Sequence, residues 1–208
     1  MFHILPVSVK GFDHNLSYIL WEEESRKAAI IDPTGEFEIF CKELRKLPEN
    51  LDFTGIFLTH GHRDHLENLE KCRNFFGIGN VMGHGKNPFV NTPLKDGEKV
   101  FYGNGSLSVF HTPGHSEDSI SLLTNDHKSL FTGDTLFIDY CGFARDEKAL
   151  FNSLRKLGSL PEEANIYSGH DYGSELFRQL KKEKYLNPYL KAALESEEAF
   201  SEALKHLE

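Results

Sequence analysis

The sequence predicts an α/β sandwich in which two β-sheets pack face to face and helices cover their outer faces. Short runs rich in β-branched and aromatic residues alternate with segments whose apolar residues recur every three or four positions. Each half of the chain has its strands first and its helices afterwards. Sheets and helices that each bury one face are stable when stacked in layers, so this order favours strand layers inside and helices outside.

The composition is typical of a soluble globular protein, with 208 residues of which 39% are hydrophobic and 26% are charged. A chain of this length can form a hydrophobic core without disulfides or a partner subunit. The sequence contains no linker, repeat of low complexity or long block of charge. We therefore expect one domain over residues 1–208, with C-terminal helices at about 173–207 packed on it.

The first half begins with strands and continues with helices. Strand-like runs occupy residues 4–9, 16–21, 27–32 and 55–60. Apolar residues recur at helical spacing over 37–47, and Pro48 ends this predicted helix. A second helix is predicted over 66–76, and Gly77 ends it.

The second half repeats the pattern. Short strands are predicted at 100–102, 106–112, 119–124, 129–133 and 164–169, and helices at 146–158 and 173–185. The pair Asn187-Pro188 is typical of a helix start, with asparagine as the N-cap and proline as the first helical residue. Leucines and Phe200 at helical spacing then predict an amphipathic terminal helix that extends to Leu207.

Charge and cysteine content exclude several classes of protein. The 32 acidic residues outnumber the 23 basic ones, giving a formal net charge of −9, whereas proteins that bind nucleic-acid phosphates normally have the opposite balance. The three cysteines, Cys41, Cys72 and Cys141, have no C-x-x-C spacing, so neither a disulfide framework nor a zinc ribbon is expected. No run approaches the length of a membrane span and no secretory pattern opens the chain. We expect a cytoplasmic protein with neither nucleic acid nor a membrane as partner.

The segment from Thr59 to His65 places three imidazoles and one carboxylate within six positions. In extended backbone, residues two apart point the same way, so His60 and His62 can approach one ion from one side. Asp64 and His65 lie where the following helix begins, so their side chains point in a different direction. Two neighbouring metal positions are therefore expected, and nitrogen and oxygen ligands suit zinc, iron or manganese better than calcium.

Three later segments carry the same chemistry. They are His111-Thr-Pro-Gly-His115, Thr132-Gly-Asp134-Thr and Ser168-Gly-His170-Asp171. Each places a potential ligand beside glycine or after a predicted strand, where a side chain can project from a sheet edge. This recurrence predicts a metal centre. The histidines outside these patterns, which include His3, His14, His84, His127 and His206, are expected to have ordinary core or surface roles.

Taken together, the segments THGHRDH, HTPGHS, FTGDTLF and YSGHDYG resemble the motifs of the metallo-β-lactamase-fold superfamily, in the same order and over most of the chain. The resemblance implies a four-layer αββα sandwich with two mixed sheets. It implies that His60, His62 and His115 hold one metal, that Asp64, His65 and His170 hold a second, and that Asp134 bridges them. Asp32 resembles the buried acid that orients a ligand histidine in this family, and a turn aspartate before Pro33 is the alternative.

The implied chemistry is hydrolysis by two divalent cations, with zinc preferred and iron or manganese as alternatives. Such a pair can share one water and lower its pKa to about 7. The resulting hydroxide would attack a carbonyl that one metal polarises, while the other metal stabilises the oxyanion. Asp64 is the predicted catalytic residue, because it can bind its metal and accept a hydrogen bond from the hydroxide. Cys141 is interpreted as a packed thiol.

Within the superfamily, GDTLF with Cys141-Gly142 and the segment GHDY resemble hydroxyacylglutathione hydrolase (glyoxalase II) and the related persulfide dioxygenases. The resemblance implies a small, glutathione-linked substrate, and Tyr172 matches the tyrosine that contacts glutathione in that family. Phe143 departs from the pattern, because it replaces a basic residue that follows the Cys-Gly pair. Arg145 could substitute for that residue, although a solvated surface arginine is the alternative. The acidic tail also lacks the basic glutathione contacts of the helical domain in full-length glyoxalase II.

Three functions remain open at this point. We prefer a dinuclear hydrolase of a thioester or related small ester. The alternative is an oxidoreductase of the persulfide dioxygenase type, in which His60, His115 and Asp134 hold one Fe(II) and leave positions for dioxygen. A non-catalytic domain with structural metals ranks last, because structural sites are normally closed and rich in cysteine. The sequence does not distinguish a monomer from a homodimer.

Overall fold

Two six-stranded sheets form the centre of the molecule. The computed structural model describes residues 1–8 and 13–206, and within these ranges it contains twelve strands and six α-helices. The first sheet consists, in spatial order, of β1 (Phe2–Ser8), β2 (Leu16–Glu22), β3 (Lys27–Ile31), β4 (Asp52–Phe57), β5 (Asn80–His84) and β6 (Thr92–Leu94). The second consists of β7 (Lys99–Tyr102), β8 (Gly105–His111), β9 (Ile120–Thr124), β10 (Ser129–Gly133), β11 (Asn165–Ser168) and β12 (Arg178–Gln179).

Six helices accompany the sheets. They are α1 (Phe37–Glu43), α2 (Leu69–Phe76), α3 (Glu147–Gly158), α4 (Leu180–Leu186), α5 (Pro188–Glu195) and α6 (Glu197–Leu204). In the described ranges, no helix is both long enough and apolar enough to cross a membrane.

Both sheets are mixed. In the first, β1 to β3 are antiparallel, whereas β3 to β6 are parallel. In the second, β10 and β11 are the parallel pair. Parallel neighbours need a crossover, and α1, α2 and α3 lie in three of these connections. The carboxyl ends of β3 and β4 therefore lie at one sheet edge, and those of β10 and β11 lie together in the other sheet.

Three buried clusters define the layers. Tyr18 and Phe57 from the first sheet pack with Leu107 and Phe131 from the second, so one cluster fills the space between the sheets. Because successive strand residues point to opposite faces, Ile56 next to Phe57 lies in a different cluster. The second cluster joins the outer face of the first sheet to α1 and α2, and the third joins the second sheet to α3, α5 and α6. The predicted αββα sandwich is confirmed.

The helix predicted over 173–185 is wrong in its first half. Residues 173–176 form bends, Phe177 has no regular structure, Arg178 and Gln179 form β12, and α4 begins only at Leu180. Arg178 is 4% exposed and pairs with the carboxylates of Asp139 and Glu183, at 2.5 and 2.9 Å. These ion pairs, of which the one to Asp139 spans 39 residues, and the pairing of β12 with β11 outweigh the local helical pattern.

The predicted terminal helix is two helices. Ser196 separates α5 from α6 with extended backbone (φ −160°, ψ 166°), and its hydroxyl accepts a hydrogen bond from the Ala199 amide at 3.1 Å. This N-cap starts α6 in a new direction and lets Phe200 pack fully buried near Phe151. Val9 and Leu207, which end the first and last predicted elements, lie outside the described residues.

Two further elements have boundaries that differ from the predicted ones. The helix predicted over 66–76 begins at Leu69, because residues 63–65 form a 3-10 turn before it. The strand predicted over 55–60 covers Asp52–Phe57, so His60 lies in the loop beyond the strand. Strands β5 and β6 had no sequence prediction.

Candidate metal centre

The predicted ligands meet where strands of both sheets end. His60 follows β4, Asp134 comes directly after β10, and His170 follows β11. The loop after β8 carries His115. The remaining members, His62, Asp64 and His65, lie in or just before the 3-10 turn over 63–65. The sandwich thus brings together side chains that are as far apart in sequence as His60 and His170.

One donor group consists of His60, His62, His115 and Asp134, whose ligand atoms all lie within 4.8 Å of one another. Nδ1 of His62 lies 3.0 Å from Nε2 of His60 and 2.9 Å from Nε2 of His115. Oδ2 of Asp134 lies 3.5 Å from Nε2 of His115 and 3.8 Å from Nε2 of His60. Three imidazoles and a carboxylate that converge in this way can bind a metal ion.

A second donor group consists of Asp64, His65 and His170. The Nε2 atoms of His65 and His170 are 3.2 Å apart, and each lies 3.5 Å from Oδ2 of Asp64. Asp134 also faces this group, with Oδ1 3.4 Å from Nε2 of His65 and Oδ2 3.2 Å from Nε2 of His170. Asp134 therefore lies between the two groups.

The donors fit divalent metal ions. Oδ1 of Asp134 is buried and has no hydrogen-bond partner among the described residues. A buried carboxylate is costly unless it is paired or coordinates a metal, so an ion here would satisfy it. The set contains imidazoles and carboxylates without a cysteine thiolate, which suits zinc, iron or manganese.

Electrostatics favour the coordinating protonation states of His60 and Asp134, whereas His65 is held in its protonated form until an ion displaces the proton. Burial, helped by neighbouring imidazoles, holds the pKa of His60 well below its ordinary value, so its ring is neutral. Burial alone would raise the pKa of Asp134, but His65 and His60 outweigh it and hold the pKa well below the usual range. Burial lowers the pKa of His65, whereas the carboxylates of Asp134 and Asp32 raise it by more. A neutral imidazole and an ionised carboxylate are the forms that coordinate metals.

Asp32 lies behind the second group. It is 2% exposed, and its Oδ1 accepts a hydrogen bond from the Thr59 amide at 2.7 Å. Its Oδ2 accepts the Thr59 hydroxyl at 2.5 Å and lies 3.2 Å from Nδ1 of His65. The structure thus places this carboxylate against the ring nitrogen of His65 that points away from the donor atoms.

Sequence reasoning missed the contribution of residues 13–15. Nδ2 of Asn15, a fully buried residue, donates to Oδ2 of Asp64 at 2.9 Å. The Asp13 carbonyl lies 2.7 Å from Nδ1 of His170. No local pattern marks these positions, because their partners lie 49 and 157 residues further along the chain.

Two cavities open beside the donor groups, and the three predicted substrate contacts divide between them. The first, about 490 Å³, adjoins His62 and contains Arg145. The second, about 530 Å³, adjoins His115 and Asp134 and contains Phe143 and Tyr172. Arg145 therefore does not share a cavity with Phe143, which occupies the position of the basic residue for which Arg145 was expected to substitute.

Cys141 lines the second cavity and is 3% exposed. Burial raises the pKa of its thiol to about 12, so the sulfur is protonated at neutral pH and is a poor nucleophile. The Tyr172 hydroxyl donates to the Asp13 carboxylate. Burial raises the pKa of Tyr172, and the hydrogen bond to Asp13 raises it further. The Tyr172 ring stacks on His170 with the centroids 4.8 Å apart.

The chain is similar to known proteins along most of its length. Over 163 residues it is 36% identical to hydroxyacylglutathione hydrolase of Brucella ovis, a match that covers 76% of this chain and 62% of that protein. The chain thus spans less than two thirds of the length of the curated relatives that it matches.

Solved structures are also similar to this chain. ETHE1 from Myxococcus xanthus superposes with a TM-score of 0.82 and 31% identity, covering 100% of this chain and 91% of that one. A protein named TTHA1623, solved in a di-iron-bound form, gives a TM-score of 0.75 and 26% identity, covering 89% and 99%. Residues 11–170 match the sequence model of the metallo-beta-lactamase superfamily. The chain belongs to the metallo-beta-lactamase superfamily.

Proposed function

We propose that the chain is a dinuclear metal-dependent hydrolase that cleaves a small thioester, with chemistry like that of glyoxalase II. The observation that carries the proposal is the position of Asp134 between two donor groups, within 3.8 Å of four imidazole nitrogens. The 36% identity to hydroxyacylglutathione hydrolase and the two irons bound by TTHA1623 support it.

His60, His62 and His115 would hold one ion, Asp64, His65 and His170 the other, and Asp134 both. Bound there, two such ions, with zinc preferred over iron or manganese, would supply a hydroxide at neutral pH and polarise the carbonyl of the substrate. Water adds its oxygen to the carbonyl carbon, the carbon–sulfur bond breaks, and a carboxylic acid and a thiol leave.

Asp64 is the residue proposed to direct the attack. Its Oδ2 already accepts a hydrogen bond from Asn15, which fixes the orientation of the carboxylate. The side chain is 31% exposed, against 6% for Asp134, the other carboxylate of the two donor groups. Oδ1 of Asp64 would accept the hydrogen bond of the attacking water and aim its oxygen at the carbonyl carbon.

Thiol release from S-lactoylglutathione and from neutral thioesters tests the proposal. Chelation should abolish the release, and added zinc, iron or manganese should restore it. Asp64→Asn should lower kcat by about 100-fold or more, as expected when a positioned acid–base group is lost. Glu70→Gln, which alters an exposed carboxylate on α2 that pairs with Arg73, is the matched control and should leave kcat unchanged. Failure of the metal-loaded protein to cleave any thioester would refute the proposal.

A second candidate is an iron(II) oxidoreductase of the persulfide dioxygenase type. Two imidazoles and one carboxylate are the ligand set of such iron sites, and His60, His115 and Asp134 provide it within one donor group. Oxygen uptake on addition of glutathione persulfide, without thiol release from thioesters, would favour this candidate over the hydrolase.

A further inference from the structure

The cavity beside His115 and Asp134, which we call the aromatic cavity, differs chemically from the cavity beside His62. Its other lining residues are Asp13, Phe137, Tyr140, Cys141, Phe143 and Tyr172. Four of these six carry an aromatic ring, and none is lysine or arginine. The cavity beside His62 contains both Lys86 and Arg145.

The aromatic walls offer surface that a ligand can cover. Phe143 is 71% exposed, Tyr140 is 44% exposed and Tyr172 is 37% exposed, although all three lie at one cavity. Phe137 is buried and packs edge-on against Tyr172 with the centroids 5.1 Å apart, so it forms a fixed wall. Covering exposed aromatic faces with an apolar group is favourable, and flat groups can also stack on them.

Apart from the proposed metal ions, the charges of the side chains that line the aromatic cavity disfavour an anion. Apart from Asp134, its ionisable carboxylate is Asp13, whose side chain accepts the Tyr172 hydroxyl. A substrate carboxylate placed here would lie near Asp13 and would find no lysine or arginine among the described residues that line the cavity. Removing an unpaired carboxylate from water is costly. Lys86 is paired with Glu117, and Arg145 lines the other cavity.

We infer that the aromatic cavity receives an uncharged, apolar portion of the substrate, such as an aryl group next to the thioester, in preference to a carboxylate-bearing chain such as that of glutathione. Phe143 is the residue that determines this specificity, because its exposed ring would cover the bound group. The inference rests on the proposed thioester hydrolysis for the reaction, but its physical basis is the composition of the cavity.

Matched thioesters test the inference at both sides of the scissile bond. We expect the benzyl thioester of lactate to have a kcat/KM at least about 10-fold above that of S-lactoylglutathione, the range that a well-filled apolar pocket provides. Phenylacetyl-glutathione compared with S-lactoylglutathione probes the acyl side in the same way. A preference for the aryl compound in at least one pair supports the inference. Equal or higher kcat/KM for S-lactoylglutathione in both pairs overturns it.

Phe143→Lys is the decisive variant. The new ammonium should lower KM for S-lactoylglutathione and raise KM for the preferred aryl thioester, so the selectivity ratio falls about 10-fold or more. Phe101→Lys makes the same change at a phenylalanine that is 81% exposed on β7 and outside the aromatic cavity. It should leave the ratio unchanged. An unchanged ratio in Phe143→Lys would contradict the role of Phe143.

Binding separates this inference from the proposed reaction. Ketone analogues, in which a methylene replaces the thioester sulfur, can be titrated into the protein by calorimetry. Tighter binding of the benzyl than of the glutathione analogue, without hydrolysis of any thioester, would support the cavity assignment and refute the hydrolase. Thioester hydrolysis with tighter binding of the glutathione analogue would support the hydrolase and refute the cavity assignment.

Discussion

Oδ2 of Asp32 lies 3.2 Å from Nδ1 of His65, and the opposite ring nitrogen of His65 lies 3.2 Å from Nε2 of His170. A carboxylate at one ring nitrogen fixes the orientation of an imidazole and the nitrogen that carries its proton. Because Thr59 donates twice to the same carboxylate, Asp32 is itself held in place. The second donor group therefore depends on a residue that is not one of its members.

Replacing Asp32 should weaken one metal more than the other. In Asp32→Ala, His65 loses its partner, and the affinity of the second donor group should fall by about 10- to 100-fold. The metal affinity of the first donor group, which contains neither Asp32 nor His65, should fall by less. Competition titration with a zinc chelator would measure both affinities, with the thermal unfolding curve showing that the variant is folded. Equal loss at both sites would indicate a general structural effect.

Gly169 should be intolerant of a side chain. A Cβ atom at this position would collide with Oδ1 of Asp134 and would lie 2.7 Å from Cε1 of His65. We expect Gly169→Ala to displace both ligands, to reduce bound metal severely and to destabilise the fold by about 1–3 kcal/mol. Gly79→Ala is the control, because a Cβ there meets nothing within 4 Å. Full metal content in Gly169→Ala would contradict the observed packing.

The ion pairs of Arg178 should stabilise the non-helical segment found where the first half of the helix was predicted. Glu183 is fully buried, pairs with Arg178 at 2.9 Å and accepts the Asp139 amide at 2.5 Å. Glu183→Ala leaves the buried guanidinium with one partner fewer and should cost about 3–5 kcal/mol in the free energy of unfolding. Urea denaturation would measure the loss. Glu175→Gln removes an exposed partner of Arg178 and should cost less than about 1 kcal/mol.

Glu22 should make stability depend on pH below 5. Burial alone would raise the pKa of Glu22, but hydrogen bonds from Ser25 and the N-terminal ammonium lower it to about 2. The pKa of Glu22 in the folded protein thus lies below the value of about 4.3 in the unfolded chain. The ionised carboxylate therefore contributes its full stabilisation above about pH 4.3. The contribution is lost as pH falls towards 2.

The difference in unfolding free energy between wild type and Glu22→Gln should therefore shrink by roughly 2–3 kcal/mol from pH 6 to pH 2. Urea titrations of both proteins across this range would show it. A constant difference would mean that Glu22 titrates alike in the folded and unfolded chains.

The layered fold and the side chains that converge as candidate metal ligands were predictable because both have local signals. Ile56 and Phe57 face opposite sides of one strand, and such patterns identify strands without reference to the rest of the chain. Glycines and histidines at strand ends likewise mark candidate ligands. The sequence could not show that Asn15 supports Asp64, because that contact depends on packing between distant segments.

Two differences between the prediction and the structure have identifiable physical causes. The pattern over 173–185 is helical, but the partners of Arg178 lie at Asp139 and Glu183 and hold residues 173–179 out of the helix. Strand β6 had no signal because it is three residues long and contains Pro93. Its position at the sheet edge permits a proline, which cannot donate a hydrogen bond to a neighbouring strand.

Metal content per chain tests the central claim most directly, measured on wild type and Asp134→Ala purified without oxygen. Asp134 lies within 3.8 Å of nitrogens from both donor groups, so its loss should affect both ions. We predict two ions per chain in the wild type, and far fewer together with no thiol release from thioesters in Asp134→Ala. One iron per wild-type chain, with oxygen uptake on addition of glutathione persulfide, would contradict the dinuclear hydrolase.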